Sequence, residues 1–109
     1  MYLIETRFEV AASQQLELSY PSPCQNLHGH NWIITVFCRL EELDENGMVI
    51  DFKKIKDVVH SRMDHVCLND VFDFNPTAEN IAKHIVDSIP MCYKAKVQES
   101  ENNIAIYEK

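Results

Sequence analysis

The sequence predicts an α+β domain: an antiparallel sheet of four strands with two helices on one face, in the order β-β-α-α-β-β. Three observations carry this reading. Extended runs rich in β-branched and aromatic residues lie towards both ends of the chain, two stretches of helical periodicity lie between them, and no linker, repeat or low-complexity segment divides the 109 residues. Residues 1–109 are therefore expected to form one domain. At 46% hydrophobic, with two glycines, the chain can bury a modest core, and a sheet protein this small gains from oligomerising.

The elements follow in order. Tyr2 to about Ala12 alternates apolar and polar side chains, as a strand with one wet face does. Pro21, Ser22 and Pro23 mark a loop, and extended structure resumes near His30 with Trp32, Ile33, Ile34, Thr35, Val36 and Phe37. Asn46-Gly47 makes a turn. Asp51 then caps a helix whose apolar residues Phe52, Ile55, Val58, Val59 and Met63 recur at helical spacing. Thr77 is the N-cap of a second helix, with Glu79 in the first turn, a stripe of Ile81, Ile85 and Ile89, and Pro90 as its end. Tyr93 to Gln98 and Ile104 to Tyr107 read as a hairpin joined through Ser100–Asn103.

The net charge of -7 argues against nucleic acid or an anionic membrane as partner, because like charge slows the encounter. An anionic small substrate would need a local basic pocket, for which Lys53, Lys54 and Lys56 are candidates; a solvated helix face explains them equally well. No apolar run approaches the ~20 residues of a membrane span, and the chain opens on strand-like sequence, so a cytoplasmic location is expected. The four cysteines stand singly, which suggests neither a zinc ribbon nor a disulfide framework. Cys38 and Cys92 read as core.

His28-Gly29-His30 is the strongest local signal for chemistry. Histidines two apart on an extended segment point the same way and can grip one metal ion, although a polar pair at a loop-strand junction is the ordinary alternative. Cys24 lies four residues earlier in a proline-flanked loop, where a neighbouring cation would favour its thiolate. Asp64 and His65 close the first predicted helix; an aspartate can orient an imidazole for proton transfer, but adjacent residues on a regular helix point apart. Glu99 ends a strand-like run, where a carboxylate can bind the paired N–H donors of a guanidine-like ring edge. His60 and His84 fall on what reads as the polar side of the helices and receive no role.

Together these residues resemble the 6-pyruvoyltetrahydropterin synthase family, and within it the 6-carboxytetrahydropterin (queuosine-pathway) branch. Cys24 to Asn31 resembles its Cys-x3-His-Gly-His-Asn signature and Asp64 to Asn69 its Asp-His-x-x-Leu-Asn segment. Pro76 to Asn80 and Tyr93 to Asn103 match its remaining blocks, in the same order and spacing. The resemblance implies the tunnelling fold, in which sheets from several subunits close a barrel, as a homohexamer with sites between subunits. It implies 7,8-dihydroneopterin triphosphate as substrate, Zn2+ as cofactor with His28 and His30 among its ligands, and Cys24 as the base. Asp64 and His65 would tune that thiol across a subunit boundary, and Glu99 would anchor the pterin ring with help from Thr77 and Glu79. The carboxy-forming branch releases acetaldehyde with triphosphate; the pyruvoyl-forming branch retains the side chain. The short chain and the position of Cys24 favour the first, and Cys24 speaks against a third, folate-related branch with glutamate in its place.

The chain departs from the family in one position. Phe8 to Ser13 fits the strand end that precedes the family's first zinc histidine, and Gln14 stands where that histidine belongs. A glutamine carbonyl is a neutral, hard oxygen, a poorer zinc ligand than imidazole. Three readings follow: Gln14 completes a weak site through its carbonyl or a water, the substitution was introduced to trap substrate, or the protein binds pterins without turning them over.

Overall fold

The structure, a computed structural model, describes all residues 1–109. Alternation of buried and exposed side chains builds two long strands, β1 (Tyr2–Gln14) and β2 (His28–Leu40), paired antiparallel without a break from Tyr2↔Leu40 to Gln14↔His28. The loop between them carries one 3-10 turn, Pro23–Gln25, closed by a capping box of Ser22 and Gln25. Four helical segments follow: α1 (Phe52–Val58), α2 (His60–Met63), α3 (Leu68–Val71) and α4 (Ala78–Ser88). A two-residue strand, β3 (Val66–Cys67), sits between α2 and α3, and β4 (Cys92–Ser100) and β5 (Asn103–Glu108) form the terminal hairpin.

The sheet order is β3-β1-β2-β4-β5. The sheet has five strands, not four, and it is not wholly antiparallel, because β3 runs parallel to β1 through Ala12↔Val66 and Ser13↔Cys67. Two residues are too few to leave a period-2 pattern in sequence; β3 exists because His65 N–H donates to the Ala11 carbonyl and Ala11 N–H to Asp64 Oδ1. Nor is the first helical region continuous. Val59, still right-handed but distorted (φ -99°, ψ -75°), divides it into α1 and α2, and α3 is a further single turn.

Both predicted caps are made: Asp51 accepts from Lys53 N–H and Thr77 from Asn80 N–H. Ile55, Val59, Met63, Ile81 and Ile85 are fully buried, whereas Phe52, expected in the same stripe, is 54% exposed. They cover the face of the sheet that presents Val10, Ala12, Trp32, Ile34, Val36, Ala95 and Val97. Cys38 and Cys92 are core residues and cross-strand partners. The hydrogen bond they share pushes the Cys38 thiol up and holds Cys92 down at about 7.

Two asparagines fix the chain beyond β1. Asn69 both accepts from Gln15 N–H (2.8 Å) and donates to its carbonyl (2.7 Å), and Asn75 does the same to Glu17 at 2.9 Å each. Each side-chain amide imitates a strand rung where the sheet has ended, so the last side chain of β1, Gln14, is held in place.

Candidate functional site

Residues of one parity on a strand share a face, and the parity that buries Trp32 and Ile34 continues to His30 and His28. Gln14, opposite His28, shares that face with Ala12 and Val10. From β4, Glu99 continues the face of Ala95 and Val97. Where the apolar core runs out, the same sheet face therefore becomes polar. His28, His30 and Glu99 each offer a ligand atom there, all within 4.8 Å of one another.

The imidazoles are oriented. His28 Nδ1 lies 2.7 Å from the Asn26 carbonyl, which can only accept, so Nδ1 carries the proton and Nε2 of the neutral ring is left with its lone pair. His30 stacks edge-on against His28 (4.9 Å between centroids) and against Trp32 (5.3 Å), whose Nε1–H donates to the Ala12 carbonyl. His30 Nε2 is 3.1 Å from Glu99 Oε1, yet it is buried and out of line for a hydrogen bond. The contact is electrostatic proximity, not a made bond.

Gln14 is fully buried. Its Nε2 donates to the Pro76 carbonyl at 2.6 Å, which fixes the amide orientation, and its Oε1 is left without a partner. Two imidazoles and a carboxylate fit a divalent transition metal; a third imidazole nitrogen is not supplied by Gln14.

Asp64 and His65 form a second constellation at the β3 edge. They lie past the end of α2, not on it: Asp64 is extended (ψ 134°) and His65 is left-handed (φ 59°). That backbone, rare for a residue with a side chain, brings the neighbours together, so His65 Nδ1 is 2.8 Å from Asp64 Oδ2. The helical reading, in which adjacent side chains diverge, is thus corrected. The Ala11 amide above all, then the His65 N–H and the charges of His65 and His60, hold the Asp64 carboxyl below its usual range against some desolvation. His60, given no role from sequence, places Nε2 3.5 Å from Asp64 Oδ2, one helical turn before it. The i,i+4 spacing was the signal for it.

His65 is 82% exposed and lines an open cavity of about 520 Å³ with Ser13, Asn31, His30 and Cys67. Glu79 and Glu99 share a second cavity of about 330 Å³ with Asn102 and Asn103. His30 borders the first cavity as a residue of β2, but by parity its imidazole lies on the opposite sheet face, against Glu99 of the second. Cys24 is half-buried in the 3-10 turn and lines neither cavity. Thr77 Oγ1 is engaged as the α4 cap. Lys53 is paired with Asp57, and Lys53 and Lys56 line a separate cavity with Thr6 and Phe8. No helix is long and apolar enough to cross a membrane.

A family model described as 6-pyruvoyl tetrahydropterin synthase matches residues 3–109. The chain belongs to that family. Among curated relatives, a 6-carboxy-5,6,7,8-tetrahydropterin synthase of Synechocystis is 31% identical, over 98% of this chain and 93% of its own. A 6-pyruvoyl tetrahydrobiopterin synthase of Homo sapiens is also 31% identical, over 96% and 90%. The one from Bacillus subtilis, a 6-carboxy-5,6,7,8-tetrahydropterin synthase, is 28% identical over 90% of this chain and 79% of its own. In structure, the 6-pyruvoyl tetrahydropterin synthase of Caenorhabditis elegans superimposes with a TM-score of 0.77 at 26% identity, covering 99% of this chain and 95% of that one. Relatives of both activities thus match over nearly the whole chain.

Proposed function

We propose that the protein is a 6-carboxytetrahydropterin synthase-like lyase that acts on 7,8-dihydroneopterin triphosphate in queuosine biosynthesis. The observation that supports it best is the oriented Asp64–His65 pair, whose exposed imidazole opens on a cavity of about 520 Å³. A proton-transfer imidazole, a ligand-bearing imidazole and a carboxylate-lined pocket are the parts the reaction needs. A pure binding module has no use for the strained His65 backbone.

In this reading Glu99 and Glu79 accept the N–H donors of the pterin ring edge, with Thr77 at the mouth of α4. A bound Zn2+ would stabilise negative charge on the substrate side chain. Cys24, as thiolate, removes the side-chain proton, and His65, oriented by Asp64, exchanges protons with the substrate. Because Cys24 lines neither cavity of its own chain, it meets His65 in this scheme only across a boundary between copies, in a homohexamer. The pyruvoyl-forming activity is the second reading, favoured by the human relative of equal identity.

The test is subunit complementation. Cys24→Ala and Asp64→Asn are each inactive alone, and co-refolded mixtures regain triphosphate release because some sites draw both intact residues from different copies. Product analysis separates acetaldehyde with the 6-carboxy product from the 6-pyruvoyl product. No product above a Cys24→Ala control, with dihydropterin still bound, would leave a binding protein and defeat the proposal.

A further inference from the structure

We infer that Glu99 is a metal ligand in this chain, so that the ion is held by His28, His30 and Glu99 with the Gln14 carbonyl oxygen beside it, in place of a set of three imidazoles. The inference concerns the site on which the proposed function rests, but it stands on metal binding alone and needs no turnover.

Four observations bear on one end of this sheet face. The ligand atoms of His28, His30 and Glu99 lie within 4.8 Å of one another, a span that a single ion can bridge. The proton of His28 is committed to the Asn26 carbonyl, the outer hydrogen bond that metal-ligating histidines make, and its other nitrogen is left bare. His30 Nε2 is buried and unbonded although a carboxylate oxygen lies 3.1 Å away. Gln14 Oε1, on a fully buried side chain of the same sheet face, has no partner either. His30 Nε2, buried and unpaired beside a carboxylate, is costly as it stands and a cation relieves it; Gln14, opposite His28 on the same face, carries a second unpaired atom.

The register explains why Glu99 can take this place. Gln14 is too committed to Pro76 to offer a nitrogen, and its amide nitrogen is no ligand in any case. Glu99, on the next strand but one from β1, brings its oxygen to His30 from the opposite side. The resulting set of two nitrogens and a carboxylate oxygen, with an amide oxygen near, is harder than three imidazoles, and it suits Fe2+, Mn2+ and Co2+ better relative to Zn2+ than an all-imidazole set does. With Glu99 Oε1 turned to the ion, its second oxygen and Glu79, which lines the same cavity, remain for the ring edge of a pterin.

The experiment is metal binding to the whole chain by equilibrium dialysis against Zn2+ and Co2+, with the Co2+ visible spectrum as a report on ligand number. Glu99→Gln is expected to weaken binding by on the order of 100-fold and to change the Co2+ spectrum, with the thermal melt of the metal-free protein as the folding control. Gln14→His is expected to supply a third imidazole, after which adding Glu99→Gln costs little; that non-additivity is the signature of exchanged ligands. Glu79→Gln is expected to leave metal affinity intact and weaken dihydropterin binding. Equal metal affinity and spectrum in the parent and Glu99→Gln would overturn the inference, as would the same loss from Glu99→Gln in both backgrounds. A chain that binds metal through Glu99 but forms no product upholds the inference while sinking the enzyme reading.

Discussion

Asp64→Asn tests the proton-transfer pair most directly, because the structure dictates what the amide must do. Asp64 accepts from Ala11 N–H at Oδ1 (2.9 Å), and His65 Nδ1 lies 2.8 Å from its Oδ2 as an ion-pair contact. Asparagine has one oxygen and one NH2. The Ala11 amide can only donate, so the oxygen stays with it and the NH2 turns to His65 Nδ1. That nitrogen must then give up its proton, and the neutral ring carries it on Nε2 instead. The exposed nitrogen changes from acceptor to donor while backbone and shape are kept. Loss of a correctly poised imidazole lowers kcat/KM by about 100- to 10,000-fold. The assay is steady-state triphosphate release from dihydroneopterin triphosphate, with 15N spectra of the imidazole to read the tautomer. A normal rate from a variant whose His65 proton has moved to Nε2 would refute the reasoning. So would an Nδ1 proton retained in a variant that is nonetheless inactive.

Two further predictions concern the scaffold. Trp32→Phe removes the hydrogen bond to the Ala12 carbonyl and part of a fully buried ring beneath His30; stability should fall by about 2–3 kcal/mol in denaturant unfolding, and metal affinity with it. Because the Asp64 carboxyl is held below its usual 3.8, its tie to Ala11 stabilises the fold fully above about pH 4 and is lost as pH falls through the lowered native value. An acid titration of the melting temperature should therefore be flatter in Asp64→Asn, and coincident curves would remove Asp64 from the acid response.

The long periodic elements were legible because each repeats its signal many times: thirteen residues of β1 and of β2 alternate, and α4 has both its cap and its stripe. What the sequence concealed depends on single residues meeting across space. β3 is two residues long and owes its existence to Asp64 and His65 binding Ala11, 53 positions away in the case of Asp64. The break at Val59 carries no glycine or proline to announce it. In the site, His28 and His30 were readable from alternation, and Asp64 with His65 from the family motif. The Glu99–His30 contact was not, because the two residues are 69 positions apart on strands β4 and β2 and no local pattern reports a cross-strand neighbour.

Gln14 can be assigned to fold or to site by one substitution, Gln14→Met, which nearly preserves volume and removes both polar atoms. Two costs then oppose each other. The Pro76 carbonyl loses its donor, a penalty of about 1–3 kcal/mol, while the unpaired Oε1 no longer has to be desolvated, a gain of about the same size. If the glutamine serves the site, stability hardly changes, and metal affinity falls because the oxygen beside the ion is gone. If instead it serves to tie β1 to the start of α4, the variant loses the tie, α4 and its Glu79 shift, and the melt falls by ~3 kcal/mol or more with metal affinity unchanged. The second result would make Gln14 a structural residue that ties β1 to the start of α4. It would leave His28, His30 and Glu99 to hold the ion alone.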